Sequence, residues 1–212
     1  MSIRPALGLV ALGPVDPEIM RFLRTAIAKL LPLPVRVLRS LPLPEDTYHL
    51  VRDQYHSTQL LEYLLAKNEP AHFRILGITA VDLYIPILTF VFGEAQLDGT
   101  AAVISVFRPR GDADGRPPSL RVLLQRLLKL SLHELGHTFA LGHCRQPDCL
   151  MEFSSNLEKL DQRHLLFCDY CRIMLADYFR DQGLVLRLKR YEATPAPGAS
   201  LAVAASGRKR RP

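Results

Sequence analysis

The sequence lacks tryptophan altogether, and of its 212 residues only four are cysteine and four are methionine. It also lacks any apolar run near the roughly 20 residues that a membrane-spanning helix needs, which excludes a helical membrane protein. The apolar stretch at residues 6–12 is too short for a signal peptide and is followed by Gly-Pro. We therefore expect a soluble, cytoplasmic protein. An apolar content of 48% suits one domain with a substantial core.

The excess of positive charge lies mostly at the C-terminal end. The formal net charge is +6, but the four residues at 208–211 are all Arg or Lys. Removing these four charges lowers the net charge from +6 to +2. Residues 192–212 are also rich in Pro, Ala and Gly, which predicts a disordered basic tail after a single domain at 1–191. A weak contact of this tail with nucleic acid stays open, but we do not expect nucleic acid as a partner.

Segments with the periodicity of strands alternate with segments that have the periodicity of helices. Strands are predicted at residues 6–12, 35–40, 72–79, 82–84, 88–95, 100–108 and 186–191, and helices at 16–31, 45–66, from 119 into the 130s, and 168–180. Asp98-Gly99 is a turn signal that pairs two of these strands. This alternation of strands and helices predicts an α/β fold with a mostly parallel sheet and an antiparallel edge.

The stretch HELGHTFALGHC, residues 133–144, carries three histidines and one glutamate at a spacing that suits a metal site. His133 and His137 are four residues apart on a predicted helix, so both imidazoles project from one face towards a single ion. His143 becomes a ligand only if the helix ends and the chain turns back. Three neutral imidazoles leave a fourth position open, which is typical of catalytic zinc. Glu134 would lie beside this zinc as a proton acceptor and not as a ligand.

All four cysteines follow closely, at Cys144, Cys149, Cys168 and Cys171. In a cytoplasmic chain, clustered cysteines more often bind metal than form disulfides. Two close pairs of thiolates suit a closed, tetrahedral, structural zinc site, with core cysteines and redox-active thiols as the alternatives. A zinc ion here would tie the loop after His143 to the last helix. We therefore expect two zinc ions per chain, one catalytic and one structural.

This arrangement resembles the archaemetzincin family of zinc metallopeptidases. The family's pattern is an extended metzincin histidine motif followed by Cys-x4-Cys-x-Met and a later Cys-x-x-Cys, and RQPDCLM and CDYC continue the motif here in that way. The matching positions are His133, Glu134, His137, His143, Cys144, Cys149, Met151, Cys168 and Cys171. The segments DLY, FVFGEA and VISVFRP also resemble the family, so the likeness covers most of residues 6–180.

The resemblance implies a metzincin-like α/β fold, with a mostly parallel twisted sheet, a backing helix, an active-site helix and a C-terminal part stabilised by the second zinc. It implies a peptidase that acts on peptides or proteins, with an aminopeptidase-like preference in some members. Separately, we expect a monomer. A zinc-bound water would attack the peptide carbonyl while Glu134 accepts its proton as general base. Met151 would form an apolar floor under the catalytic metal. The FVFGEA strand would align an extended peptide along the sheet edge.

One position departs from the family pattern. The family has glycine three residues before the third histidine, where this chain has Ala140, and the nearby glycine is Gly142. Glycine permits the positive φ at which many helices end, and alanine in that conformation costs about 1–2 kcal/mol. Zinc binding contributes roughly 10 kcal/mol or more in structural sites, so we expect the metal site to survive. The turn then lies at Ala140 or moves to Gly142.

A catalytically silent, zinc-stabilised binding or scaffold protein is the alternative to a peptidase. Glu134 separates the two, because a scaffold has no need of a carboxylate beside the metal. A nucleic-acid module is a weaker third alternative, since the chain lacks interleaved aromatic and basic residues. The residue that stabilises the oxyanion stays open among Tyr48, Tyr84 and Tyr170. The remaining histidines lack ligand spacing and are interpreted as surface or packing residues, and they are His49, His56, His72 and His164.

Overall fold

The computed structural model of the chain describes residues 6–68, 72–111, 117–186 and 188. The strands are β1 (Leu7–Leu12), β2 (Val35–Val37), β3 (Tyr48–His49), β4 (Gln54–His56), β5 (Arg74–Thr79), β6 (Leu83–Tyr84), β7 (Gly93–Ala95) and β8 (Ala101–Ser105). The helices are α1 (Pro17–Leu30), α2 (Ser57–Lys67), α3 (Leu120–Thr138), α4 (Leu157–Gln162) and α5 (Asp169–Asp181).

The main sheet has five strands in the order β2-β1-β5-β8-β7. The first four are parallel, and β7 joins β8 in antiparallel register, with Glu94 opposite Val103. Strands β1, β5 and β8 are almost entirely buried because helices cover both of their faces. This confirms the predicted α/β class with a mostly parallel sheet, and it leaves β7 at the free edge.

Two hydrophobic clusters divide the core between the faces of this sheet. The larger cluster joins one face to α1, α3 and α5, and the smaller one joins the other face to α2. Helix α1 begins as predicted, because Asp16 accepts a hydrogen bond from the Glu18 backbone N–H and Pro17 occupies the first turn. Helix α3 begins at a similar cap, where the Ser119 hydroxyl accepts from the Val122 N–H. The long helix α3 packs against the sheet next to β7 and β8.

The predicted helix at 45–66 is wrong in its first half. Only residues 57–67 are α-helical, and the preceding segment forms a short 3-10 turn and the strands β3 and β4. Leu50 and Val51 are 80% and 91% exposed, so no core contact favours a helix there. Asp53 has φ +52°, which interrupts a helix, and it accepts a hydrogen bond from the Tyr48 hydroxyl at 2.7 Å. Pairing of β4 with β6 then stabilises the extended form.

Two predicted segments fall wholly or largely outside the described residues. Leu186 and Leu188 do not form a strand, and the other residues of the predicted strand at 186–191, like the tail at 192–212, lie outside the described residues. Within residues 6–68, 72–111, 117–186 and 188, no helix combines the length and the apolar character that a membrane crossing requires.

Candidate metal centre and cleft

Helix α3 holds the first two histidines of the motif in one orientation. The Nδ1 of His133 lies 2.8 Å from the Leu150 carbonyl oxygen, and the Nδ1 of His137 lies 2.7 Å from the Leu141 carbonyl oxygen. A carbonyl can only accept, so each Nδ1 carries the proton. Each Nε2 atom is therefore unprotonated and has a free lone pair. The two Nε2 atoms lie 3.2 Å apart. Backbone carbonyls that orient imidazoles in this way are typical of metal ligands.

The third histidine reaches this pair because α3 ends abruptly. Ala140 has φ +66°, and the N–H groups of Ala140 and Leu141 donate to the carbonyls of His137 and Gly136, both at 3.0 Å. These two bonds form a Schellman motif, which reverses the chain direction. The turn therefore lies at Ala140 itself and has not moved to Gly142. It brings His143 back towards His133 and His137.

Further contacts stabilise the C-terminal end of α3. The Asp98 N–H, in the turn between β7 and β8, donates to the His137 carbonyl at 2.9 Å. The buried guanidinium of Arg74, on β5, donates from Nε to the Thr138 carbonyl at 3.1 Å. A cation at this end also complements the helix dipole. The sheet thus holds the position at which the chain turns towards His143.

The three histidines fit a tetrahedral zinc ion. Their candidate ligand atoms all lie within 4.8 Å of one another. Zinc–nitrogen bonds of the usual length in a tetrahedral site set two nitrogens about 3.3 Å apart, close to the 3.2 Å between His133 and His137. Burial lowers the pKa of all three rings, and it lowers the pKa of His133 to about 3. The rings are therefore neutral at physiological pH, as metal ligation requires.

Glu134 lies beside the histidines, and only 6% of its surface is exposed. Burial, with a smaller contribution from Glu94, raises the pKa of Glu134 to about 8. A cation nearby would favour the carboxylate and lower this pKa. The carboxylate occupies space that a side chain at Gly93 would fill, since a Cβ there would lie 2.8 Å from Oε1 of Glu134. Gly93 therefore lets β7 approach Glu134 closely.

The four cysteines meet in a second cluster, whose sulfur atoms also lie within 4.8 Å of one another. None forms a disulfide. The Sγ atoms of Cys144 and Cys168 are 3.8 Å apart, which matches the separation of about 3.8 Å expected in a tetrahedral zinc–thiolate site. Backbone N–H groups of Gln146 and Cys168 donate to Cys144 and Cys149, each at 3.4 Å. This donor set fits a closed metal site.

Met151 connects the two clusters. It is fully buried, and its sulfur would lie 2.5 Å from a Cβ at Gly136, so the missing side chain at Gly136 lets Met151 pack against the turn of α3 between the two histidines. The Met151 carbonyl accepts a hydrogen bond from the Cys144 N–H at 2.8 Å. Met151 therefore lies as an apolar support beneath the histidines and joins them to the cysteine cluster.

A cleft of about 630 Å³ opens over the histidines. Its lining includes Gly93, Glu94 and Ala95 of β7, residues of α3, Leu160 of α4 and the 153–155 segment. The lining is mostly apolar. A groove of this size beside a sheet edge suits an extended chain.

The structure brings some of the predicted site residues together and leaves others away from the cleft. The structure brings His133, Glu134, His137 and His143 together, and it brings the four cysteines together. None of the three tyrosines considered for the oxyanion lines the cleft. The Tyr48 hydroxyl donates to Asp53, Tyr84 is buried under Arg52, and Tyr170 is 69% exposed on α5.

Sequence reasoning missed three charged residues that line the cleft, namely Glu94, Lys129 and Arg163. Lys129 could have been found, since it precedes His133 by the same four residues that separate His133 from His137. Glu94 and Arg163 come from other elements, and their spacing along the chain carries no signal.

Comparison with known proteins settles the family. The sequence model of peptidase family M54 matches residues 21–177. The archaemetzincin of Methanocaldococcus jannaschii is 36% identical over 165 residues, which cover 78% of this chain and 89% of that protein. This chain belongs to the archaemetzincins, peptidase family M54. It is therefore a zinc metallopeptidase by family, as the histidine and cysteine pattern had suggested.

Solved structures of similar proteins share the fold of this chain. The crystal structure of archaemetzincin from Methanopyrus kandleri has a TM-score of 0.74 and 36% identity, and the match covers 84% of this chain and 97% of that one. A zinc-dependent peptidase from Methanocorpusculum labreanum has a TM-score of 0.70 and 28% identity, covering 80% of this chain and all of that one. The metzincin-like fold expected from the sequence is thus confirmed.

Proposed function

We propose that this member of family M54 hydrolyses peptide bonds at a zinc ion held by His133, His137 and His143, with Glu134 as general base. The observation that carries the proposal is the pair of Nε2 lone pairs facing each other at 3.2 Å beside a buried carboxylate. Two unprotonated nitrogens repel each other unless a cation lies between them. When bound, zinc would supply Lewis acidity that polarises water and carbonyl groups.

Residues of the chain would transfer the proton and hold the ligands in position. The Glu134 carboxylate would take the proton of the attacking water and then deliver it to the leaving amine. Leu141 and Leu150 would hold the imidazoles through their carbonyls. Their common position on α3 would keep Glu134, His133 and His137 in a fixed relation.

The free edge of β7 would hold the substrate. Phe92 accepts a hydrogen bond from Ser105, and Gln96 donates to Ala101, so these alternate residues face β8. The backbone groups of Gly93 and Ala95 then point away from β8 towards the cleft. An extended peptide could pair with them, and its scissile bond would lie above the histidines. The aminopeptidase-like preference of some relatives would depend on where along this edge the peptide's amino end lies.

We further propose that Cys144, Cys149, Cys168 and Cys171 hold a second, structural zinc ion. The 3.8 Å separation of two sulfurs and the N–H donors directed at sulfur support this assignment. Zinc content per chain tests both sites. We expect about two ions in the unmutated protein and about one in His143→Ala, measured by elemental analysis.

Hydrolysis of a quenched peptide library by Glu134→Ala tests the general base. We expect zinc content to stay unchanged while the hydrolysis rate falls by roughly 10²–10⁴-fold. Glu62→Ala, at an exposed position of α2, is the matched control and should keep full activity. Undiminished hydrolysis by Glu134→Ala would contradict the assignment. Peptide binding without hydrolysis by the unmutated protein would favour the scaffold alternative. The same library with acetylated amino ends separates an aminopeptidase from an endopeptidase.

A further inference from the structure

The cleft has a basic side that the catalytic residues do not use. Lys129 lies on α3 one turn before His133 and lines the cleft. Its ammonium group donates to the carbonyls of Leu160 and Asp161, at 2.8 and 3.1 Å, at the end of α4. These bonds orient the ammonium group between α3 and α4, on the same face of α3 as the metal-site histidines.

In the part of the chain that the structure describes, Lys129 forms no ion pair, and the acidic residue that acts on it electrostatically is Asp161. Among the described residues, no carboxylate oxygen lies within 4.0 Å of its Nζ. Asp161, the nearest acidic residue along α4, is paired at 2.5 Å with Arg126. An ammonium group has three N–H donors, and two carbonyl bonds leave one donor for a ligand. Half-buried cations are costly without an anionic partner, and burial lowers the pKa of Lys129.

A second cation lies at the cleft, and its charge is offset by an ion pair with Glu152. Arg163 is only 6% exposed and also lines the cleft. Its guanidinium donates to the backbone of Glu152 and Phe153 and forms an ion pair with Glu152 at 3.3 Å. It is thus held rigidly beside the space that Lys129 faces, together with the serines at 154 and 155, which also line the cleft.

The residues that line the cleft also include the acidic residues Glu94 and Glu134. Glu94, on β7, accepts hydrogen bonds from the hydroxyls of Ser57 and Thr58, the latter at 2.9 Å. No cation lies within ion-pair distance of Glu94 in the described part of the chain. A carboxylate on a bound peptide would be repelled by Glu134 and attracted towards Lys129. The charge of Arg163 is already paired with Glu152, which leaves Lys129 as the cation for such a ligand.

We propose that Lys129 determines specificity by binding a carboxylate of the peptide in the cleft, either an acidic side chain close to the scissile bond or the C-terminal carboxylate. The inference rests on the proposed function only in that the ligand of the cleft is a peptide. A purely structural Lys129, which caps α4 and nothing more, would leave peptide selectivity unchanged. Selectivity therefore separates the two roles.

The test measures which peptides bind, and it needs no turnover. Short random peptides with acetylated amino ends are passed over immobilised, zinc-loaded Glu134→Ala protein, and the retained peptides are sequenced by mass spectrometry. One pool has amidated C-termini and the other has free carboxylates. We expect Asp and Glu to be enriched over Asn and Gln by roughly tenfold in the amidated pool, or the free pool to be retained roughly tenfold better. The first result identifies a side chain as the source of the carboxylate, and the second identifies the C-terminus.

Variants of Lys129 on the same background decide whether this residue is responsible. Lys129→Met should abolish the enrichment, Lys129→Arg should keep it, and Lys129→Glu should reverse it in favour of Lys and Arg. Lys159→Met, an exposed lysine of α4 that does not line the cleft, is the matched control and should change nothing. Because enrichment is a ratio within one protein sample, partial loss of folding does not alter it.

Two results would overturn the inference: equal retention of acidic and neutral peptides from both pools, or an enrichment that survives in Lys129→Met. Hydrolysis of the same pools by the protein with Glu134 intact is measured separately. Charge-selective binding without hydrolysis would remove the peptidase proposal and leave this inference standing. Hydrolysis without charge selectivity would support the peptidase proposal and overturn the inference about Lys129.

Discussion

The histidine cluster and the cysteine cluster lie side by side but are built in different ways. Two of the three histidines project from one helix, and their imidazoles are oriented by carbonyls before any ion arrives. The cysteines come from an irregular loop and from the start of α5, with little regular structure between them. The histidines line an open cleft, whereas Cys149 and Cys171 are buried. A preorganised open site suits chemistry, and a closed site made of loops suits the stabilisation of a fold.

The two clusters share the segment from His143 to Met151. Cys144 directly follows His143, its N–H donates to the Met151 carbonyl, and the Leu150 carbonyl orients His133. A disturbance of the cysteine cluster should therefore reach the histidines through this segment. A disturbance of His137 should affect the cysteines less, because its Nδ1 is bonded to the Leu141 carbonyl, outside this segment, and α3 is also held by the sheet.

The largest effect is expected from Cys171→Ser, which removes one ligand of the proposed structural zinc site. We expect loss of the second zinc, a drop of about 5 kcal/mol in the free energy of unfolding, and reduced occupancy of the histidine site as well. His137→Ala should instead lose about one ion and leave the cysteine site filled. Zinc analysis and urea denaturation of both variants measure this asymmetry. Full activity and one retained ion in Cys171→Ser would show that the two sites are independent.

A smaller effect is expected from Gly93→Ala, which acts on the histidine side alone. The new methyl group would come within 2.8 Å of Glu134 and 2.7 Å of the Val103 carbonyl oxygen, so it should displace the carboxylate. We expect the hydrolysis rate to fall roughly 10²-fold at unchanged zinc content. Gly142→Ala is the matched control, because no atom lies within 4 Å of the added methyl group, and its rate should stay within about twofold. Equal rates in the two variants would contradict the proposed position of Glu134.

The smallest effect is expected at Ala140, the turn that joins the two regions. Alanine at φ +66° is strained, and glycine relieves this strain while adding flexibility to the unfolded chain. We expect Ala140→Gly to raise the free energy of unfolding by about 0.5–1 kcal/mol without a change in zinc content. Urea unfolding at constant m-value measures the change. A destabilised Ala140→Gly would mean that the turn does not hold strain.

The spacing of residues along the chain was sufficient to predict the close pairs from which both clusters are built. His133 and His137 lie one helical turn apart, and Cys168 and Cys171 are close in sequence, so local geometry alone brings each pair together. The alternation of strands and helices likewise predicted the parallel sheet, since buried strands have long apolar runs. Periodicity failed at residues 45–56, where Leu50 extends the apolar pattern of α2 but points into solvent.

What the sequence determined by itself is the chemistry: which side chains are available as metal ligands, which carboxylate lies next to them, and that a turn must follow α3. What only the tertiary structure decided is the cleft around them. Glu94, Lys129 and Arg163 come from β7, α3 and the segment after α4, and they meet because those elements pack together. Ligand spacing is a local property of the backbone, whereas the charge on the walls of a cleft depends on contacts between residues far apart in the chain.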